Sequence, residues 1–136
     1  MSRRLATPYV RGKSDVIENF APYNNTAIAE GLAVVLHTDG TVKAYAGSGV
    51  IMGVSGMKEI KKQSVIRSGL DVLVRIASGI TVASGDAVYV TSAGLFTNVS
   101  TDNTAVNATF RSAKETAIDN AGQSYDAAAI DFAGGL

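Results

Sequence analysis

A mainly β fold, a small barrel-like or sandwich-like domain made of two related β units, is what this chain of 136 residues predicts. Two observations carry the prediction. The first is an internal repeat. Ala29-Glu30-Gly31-Leu32-Ala33-Val34-Val35-Leu36 aligns with Ala83-Ser84-Gly85-Asp86-Ala87-Val88-Tyr89-Val90, so that Ala, Gly, Ala and Val coincide and Leu36 meets Val90. At the same offset Gly40 meets Gly94 and Val42 meets Phe96, and with a two-residue slip Met57-Lys58-Glu59 faces Ala113-Lys114-Glu115. The second is residue type: β-branched and aromatic side chains fill short runs between glycine turns, as a pleated, half-buried surface requires.

Taken in order, residues 1–25 read as an extended N-terminal arm. Arg3, Arg4, Arg11 and Lys13 precede the first acid, Asp15, and Pro8 and Pro22 discourage helix. A short edge strand is expected near Val16–Phe20. A domain of this length has a radius of gyration of roughly 14 Å, whereas twenty extended residues reach up to ~66 Å, enough to touch a neighbour. Residues 26–136 read as one β-rich domain, the repeat running over about 27–75 and 81–136. Asp39-Gly40 and Ala93-Gly94 supply hairpin turns, where positive φ is needed. Gly47, Gly49, Gly53 and Gly56 argue against helix and suit bulges or close backbone approach. Further strands are expected at Val72–Ile76 and Ala128–Phe132. One short helix is expected over Ser112–Asn120, where Ser112 and Glu115 have capping-box spacing and Gly122 could follow the end.

Composition narrows the function. Apolar residues make up 46% and charged residues 18%, with zero net charge. An average soluble domain carries about 25% charged residues, so part of this surface is expected to be covered by partners. Ten basic and six acidic residues lie through Arg75, and two basic and six acidic after it, a polarity of plus four against minus four that favours head-to-tail or ring-like packing. With no cysteine, disulfides and zinc–thiolate sites are excluded. Met1-Ser2-Arg3-Arg4 is not followed by an apolar stretch of signal-peptide length, and no run approaches the ~20 apolar residues of a membrane span, so a soluble protein made in a cytoplasm is expected. The sequons at Asn24, Asn98 and Asn107 therefore carry no weight.

No catalytic, cofactor-binding or metal-ligating residue is expected. His37 is the single histidine and reads as a strand-end residue with an ordinary hydrogen bond. Gly47-Ser48-Gly49-Val50-Ile51-Met52-Gly53 is one residue too long for a dinucleotide loop and has no amphipathic helix behind it. Thr101-Asp102-Asn103-Thr104 lacks the acidic ligands and glycine of a calcium loop. Lys58, Lys61, Lys62 and Arg67 form a basic run, but no aromatic residue interleaves it, which disfavours a direct nucleic-acid contact.

Gly85-Asp86-Ala87-Val88-Tyr89-Val90, followed by Gly94-Leu95-Phe96-Thr97, resembles the signature of the structural cement, or capsid decoration, proteins of tailed bacteriophages. Tyr9-Val10-Arg11-Gly12-Lys13 is similar to their amino-terminal segment and Ala129-Ile130-Asp131-Phe132 to their closing strand, while the polar stretch Asn98–Asn107 departs from many members. The resemblance implies a non-enzymatic virion protein with a lambda-type head decoration role, made in the bacterial host cytoplasm. It would bind the major capsid protein on the outside of the expanded head as a homotrimer, stabilising the shell without cofactor, nucleic acid or membrane. It places capsid contacts on the arm, at Tyr9, Val10, Arg11, Val16, Ile17 and Phe20. Two other readings stay open: a tail-tube or head–tail joining subunit, and a β-barrel module binding nucleic acid or carbohydrate.

Overall fold

Eleven strands form one sheet: β1 (Ser2–Arg3), β2 (Val10–Phe20), β3 (Ala33–Leu36), β4 (Val42–Ala44), β5 (Ile51–Glu59), β6 (Lys62–Arg75), β7 (Ala87–Val90), β8 (Phe96–Thr97), β9 (Thr104–Phe110), β10 (Glu115–Ile118) and β11 (Ser124–Asp131). The structure, a computed structural model, describes residues 2–3, 10–59, 62–119 and 121–136, with side chains over 16–56, 62–119 and 121–136. The main path runs β4-β3-β5-β6-β11-β9-β7-β8, with β2 added to β6 and β10 to β11. Every pair is antiparallel except β1 with β10.

The repeat is realised in hydrogen bonds. In the first unit His37 N–H donates to Thr41 O and Gly40 N–H to His37 O; in the second, Thr91 N–H donates to Leu95 O and Gly94 N–H to Thr91 O. Leu36 stands opposite Val42 as Val90 stands opposite Phe96. Gly31 N–H reaches Ser55 O as Gly85 N–H reaches Phe110 O. Gly31, Gly40, Gly85 and Gly94 all hold φ between 79° and 94°, the left-handed region that a Cβ makes costly. The sequence alignment drifts beyond this point: the counterpart of β5 is β9, so Met57-Lys58-Glu59 ends β5 while Glu115 begins β10, a strand the first unit lacks.

The two units turn opposite faces to the shared core. Ala33 and Val35 point into the main cluster in the first unit, but Val88, Val90 and Phe96 do so in the second, and these align with Val34, Leu36 and Val42. Val34 and Val42 instead pack in a satellite cluster with Ile28 and Val65, against which Phe20 rests. β3 is therefore buried on both faces over Ala33–Val35, whereas β7 alternates between exposed and buried. Phe96, Phe110 and Phe132 are fully buried in the main core; burying one such side chain contributes about 1.5–3 kcal/mol.

β6 serves both units. Ile66 lies opposite Val54 of β5 and Ile17 of β2; six residues on, Val72 lies opposite Ile130 of β11 and Val10 of β2. Between them Gly69 and Phe132 exchange backbone bonds of 3.4 and 2.8 Å, and Asp71, at φ 58°, donates its N–H to the Asp131 carboxylate at 2.8 Å. The sheet curls back over the core: Ile76 bridges Phe96, and Ala33 N–H donates to Gly94 O at 2.9 Å. The path stays open, ending at β4 and β8. Arg75 ties the units: its Nε donates to Glu30 O at 2.6 Å, and its guanidinium lies 3.9 Å from the Tyr125 ring centroid and 3.6 Å from Asp119.

The helix expected over Ser112–Asn120 is not formed. Thr116 and Ile118, β-branched, sit in β10, and Ala117 is buried beside Leu73 and Ala127, so pairing with β11 overrides the capping-box signal. The Ser112 hydroxyl instead accepts the Ala129 N–H at 3.1 Å; Asn120 lies outside the described residues. The one helical element among the described residues is the 3-10 turn Tyr23–Asn25. Residues 10–20 of the expected arm are extended, but as an eleven-residue strand bonded along β6 rather than reaching away from the sheet.

The close approach of β5 to β6 yields a test. A Cβ on Gly53 would stand 2.5 Å from Ile66 O and 2.7 Å from Val65 Cγ1, which only a backbone shift relieves. Gly53→Ala is expected to destabilise the domain by about 1–3 kcal/mol in urea unfolding, whereas Gly134→Ala, whose Cβ would meet nothing nearer than Asn107 Nδ2 at 3.5 Å, stays within about 0.5 kcal/mol of the parent. Equal effects at the two positions would contradict the crowding.

Candidate functional site

The strand expected to make contacts is an edge. β2 pairs with β6 on one side and with no other described strand, leaving a row of backbone groups for another chain. The register shifts between Ser14 and Val16 and again between Val16 and Ile17. Such bulges break the regular alternation, and here two consecutive apolar side chains, Val16 at 44% and Ile17 at 54% exposed, both face solvent. Phe20, opposite Gln63, is half-buried against the satellite cluster and fastens the end of the strand. Glu18 accepts from Arg67 at 2.7 Å; both are half-exposed, so the pair contributes at most about 1 kcal/mol. Val10 and Arg11 begin β2, and Tyr9 lies outside the described residues. The structure thus brings Val16 and Ile17 together, with Phe20 half-buried at the end of the same strand.

Beside this edge lie two hollows. One, of about 300 Å³, is lined by Val16, Arg67, Ser68 and the turn 133–135; the other, of about 260 Å³, by Leu70, Asn107, Thr109 and Asp131. They share Ala133 and Gly134. A third, of about 180 Å³, has an apolar floor of Ile28, Val42 and Ala44 below Tyr23 and Lys43. Sequence reasoning passed over Tyr23, whose ring sits 4.3 Å from that of His37 with the Lys43 ammonium 5.6 Å from its centroid.

The remaining candidates do structural work. His37 Nδ1 lies 3.0 Å from the Asp39 carboxylate in the β3–β4 turn. Gly47–Gly53 runs into β5, so no helix N-terminus stands behind it. Thr101–Asn103 forms the turn leading into β9 at Thr104, with Asp102 at φ 59°. Lys62 is exposed, Arg67 is paired with Glu18, and the side chains of Lys58 and Lys61 lie outside those described. Asp86 of the signature accepts from the Asn98 side-chain amide and the Ala83 N–H, both at 2.9 Å, and these bonds hold its carboxyl below the usual carboxylate range. Asn98 also donates to Thr81 O, so the signature aspartate ties its own turn to the loop after β8. Among the described residues no group of three or more His, Asp or Glu side chains could hold a metal ion, and no helix is long and apolar enough to cross a membrane.

No protein-family model, curated protein sequence or solved structure matches this chain.

The β3–β4 turn gives a measurable titration. The Asp39 carboxylate accepts from the Thr41 hydroxyl at 2.5 Å and the Thr41 N–H at 2.9 Å, and these bonds, with a smaller contribution from His37, lower its pKa from 3.8 to about 2. A carboxyl depressed on folding adds stability that is fully present above its unfolded pKa and is lost as pH falls through its folded one. The turn is therefore expected to hold down to about pH 4 and loosen as pH falls toward 2. Carbon-13 NMR titration of Asp39 checks this, and Thr41→Val is expected to return the pKa toward 3.8.

Proposed function

We propose that this chain is a structural virion protein of a tailed bacteriophage, which binds the outer surface of the expanded capsid and stabilises it as a decoration or cement protein. The observation that carries the reading is the β2 edge, with Val16 and Ile17 exposed side by side on a strand whose outer backbone groups are unpaired in the sheet. Such an edge suits addition of a strand from the major capsid protein, where backbone bonds supply affinity and side chains select the partner. The resemblance of Gly85–Val90 and Gly94–Thr97 to the decoration family supplies the identity of that partner. Several copies joined as a trimer would engage several capsid subunits at once, so each contact need be only weak. The role requires no turnover and no cofactor.

The test is to mix the purified protein with expanded, undecorated heads and count bound copies per shell by sedimentation and quantitative gel. Saturation at a copy number matching the three-fold or capsomer positions is expected. Val16→Lys with Ile17→Lys is expected to weaken binding by about tenfold or more, with the fold retained by circular dichroism. No binding by folded protein would overturn the reading, and rings or tubes in electron micrographs would favour a tail-tube or head–tail joining subunit.

A further inference from the structure

The basic run of Lys58, Lys61, Lys62 and Arg67 lies on the same flank of the sheet as the β2 edge. Arg11 and Lys13 occupy positions on β2 ahead of Val16 and Ile17. Past the other end of that pair, Phe20 stands opposite Gln63 of β6, and Gln63 opposite Lys58 of β5. The β5–β6 pairing then runs one row beyond the end of β2, to Glu59 opposite Lys62, with Lys61 in the connection between the two strands. Lys62 is exposed. Over residues 10–20 and 58–67 the cations Arg11, Lys13, Lys58, Lys61, Lys62 and Arg67 outnumber the acids Asp15, Glu18 and Glu59 by three. The whole chain has zero net charge, so its remainder carries minus three. Arg67 and Glu18 cancel as a 2.7 Å ion pair, which leaves plus one at the Arg11 end and plus two at the Lys62 end. Between the ends sit Val16 and Ile17, apolar and exposed.

We infer that the strand accepted by the β2 edge is an acidic segment of the shell protein, with carboxylates on either side of a short apolar stretch. The inference rests on the shell-binding reading and specifies the chemistry of the segment bound. Neighbouring strands lie about 4.8 Å apart, so one added outside β2 runs about 9–10 Å from β6. That distance is about one Debye length in 0.1 M salt, so Lys62 acts on its charges. Carboxylates at the two ends are attracted, whereas lysines there would meet like charge. Opposite charge at both ends also fixes how far along the edge the segment slides, which backbone bonds alone leave open. Duplex DNA is anionic too, but it has no peptide groups to pair with the edge and no apolar side chains to set against Val16 and Ile17.

Binding of the full chain to expanded, undecorated heads, followed by sedimentation from about 50 mM to 0.5 M sodium chloride, tests the inference. Affinity is expected to fall by about tenfold or more across that range. Lys58→Gln with Lys61→Gln and Lys62→Gln is expected to weaken low-salt binding by about tenfold and to flatten the salt dependence. Val16→Asp with Ile17→Asp is expected to bind about tenfold more weakly than Val16→Lys with Ile17→Lys, because added acids repel an acidic segment and added lysines attract it. Circular dichroism checks the fold of each variant. Shell binding that neither salt nor the three Gln substitutions change overturns the inference and leaves the proposed function standing. The inference also falls if the Lys pair binds more weakly than the Asp pair, or if a DNA duplex of about 20 base pairs is held as tightly as the shell. Folded protein that binds no shell at any salt concentration overturns both.

Discussion

Because one strand, β6, must satisfy backbone groups on both sides over its fourteen residues, the arrangement of the rest follows from it. On one side β2 runs opposite Gln63 through Val72. Opposite Ile66 stands β5 of the first unit, and opposite Val72 stands β11 of the second. The handover at Gly69–Asp71 passes the sheet from the strands of the first unit to those of the second, and the Ile76–Phe96 bridge draws the far hairpin back across the core. Arg75, at the end of β6, holds Glu30 of one unit and Asp119 and Tyr125 of the other. Partners drawn from early, adjacent and late sequence mean that the sheet is assembled from pairings distant in the chain, the pattern of slow β folding.

The carboxyls of Asp39 and Asp119 are held below the usual carboxylate range chiefly by hydrogen bonds within their own turns, and that of Asp86 chiefly by the Asn98 amide from the loop after β8. On one flank the sheet presents a bulged edge strand, and such an edge offers backbone hydrogen bonds to any extended chain.

Much of this was legible before the structure. The offset between Gly31 and Gly85 and between Gly40 and Gly94 marked two equivalent turns, because φ near 80–90° leaves glycine little competition. The β class followed from the valine-rich runs. The Ser112–Asn120 helix was misread because a capping-box spacing is a local signal of about 1 kcal/mol, while Ala117 is placed by burial against Leu73, a residue 44 positions away. The length of β2 was underestimated for a similar reason: its bulges break the alternation that marks a strand. The exposed pair Val16–Ile17 lay within the segment read as contact-making, and Phe20, named with it, rests half-buried against the satellite cluster; Tyr23 was missed because no short-range pattern announces its ring contact with His37.

The opposed faces of the two units have a consequence for how this chain tolerates change. Leu36 and Val90 are equivalent in the backbone repeat, yet one is more than half exposed and the other wholly buried. A substitution harmless in one half is therefore ruinous in its twin, so the halves drift under different constraints although their hydrogen bonds stay matched. Similarity between them survives where backbone geometry requires it, at the glycines and turn bonds, and fades along the side chains. Duplication here repeats a ladder without repeating a surface, and the outside of the molecule has a direction that its skeleton lacks.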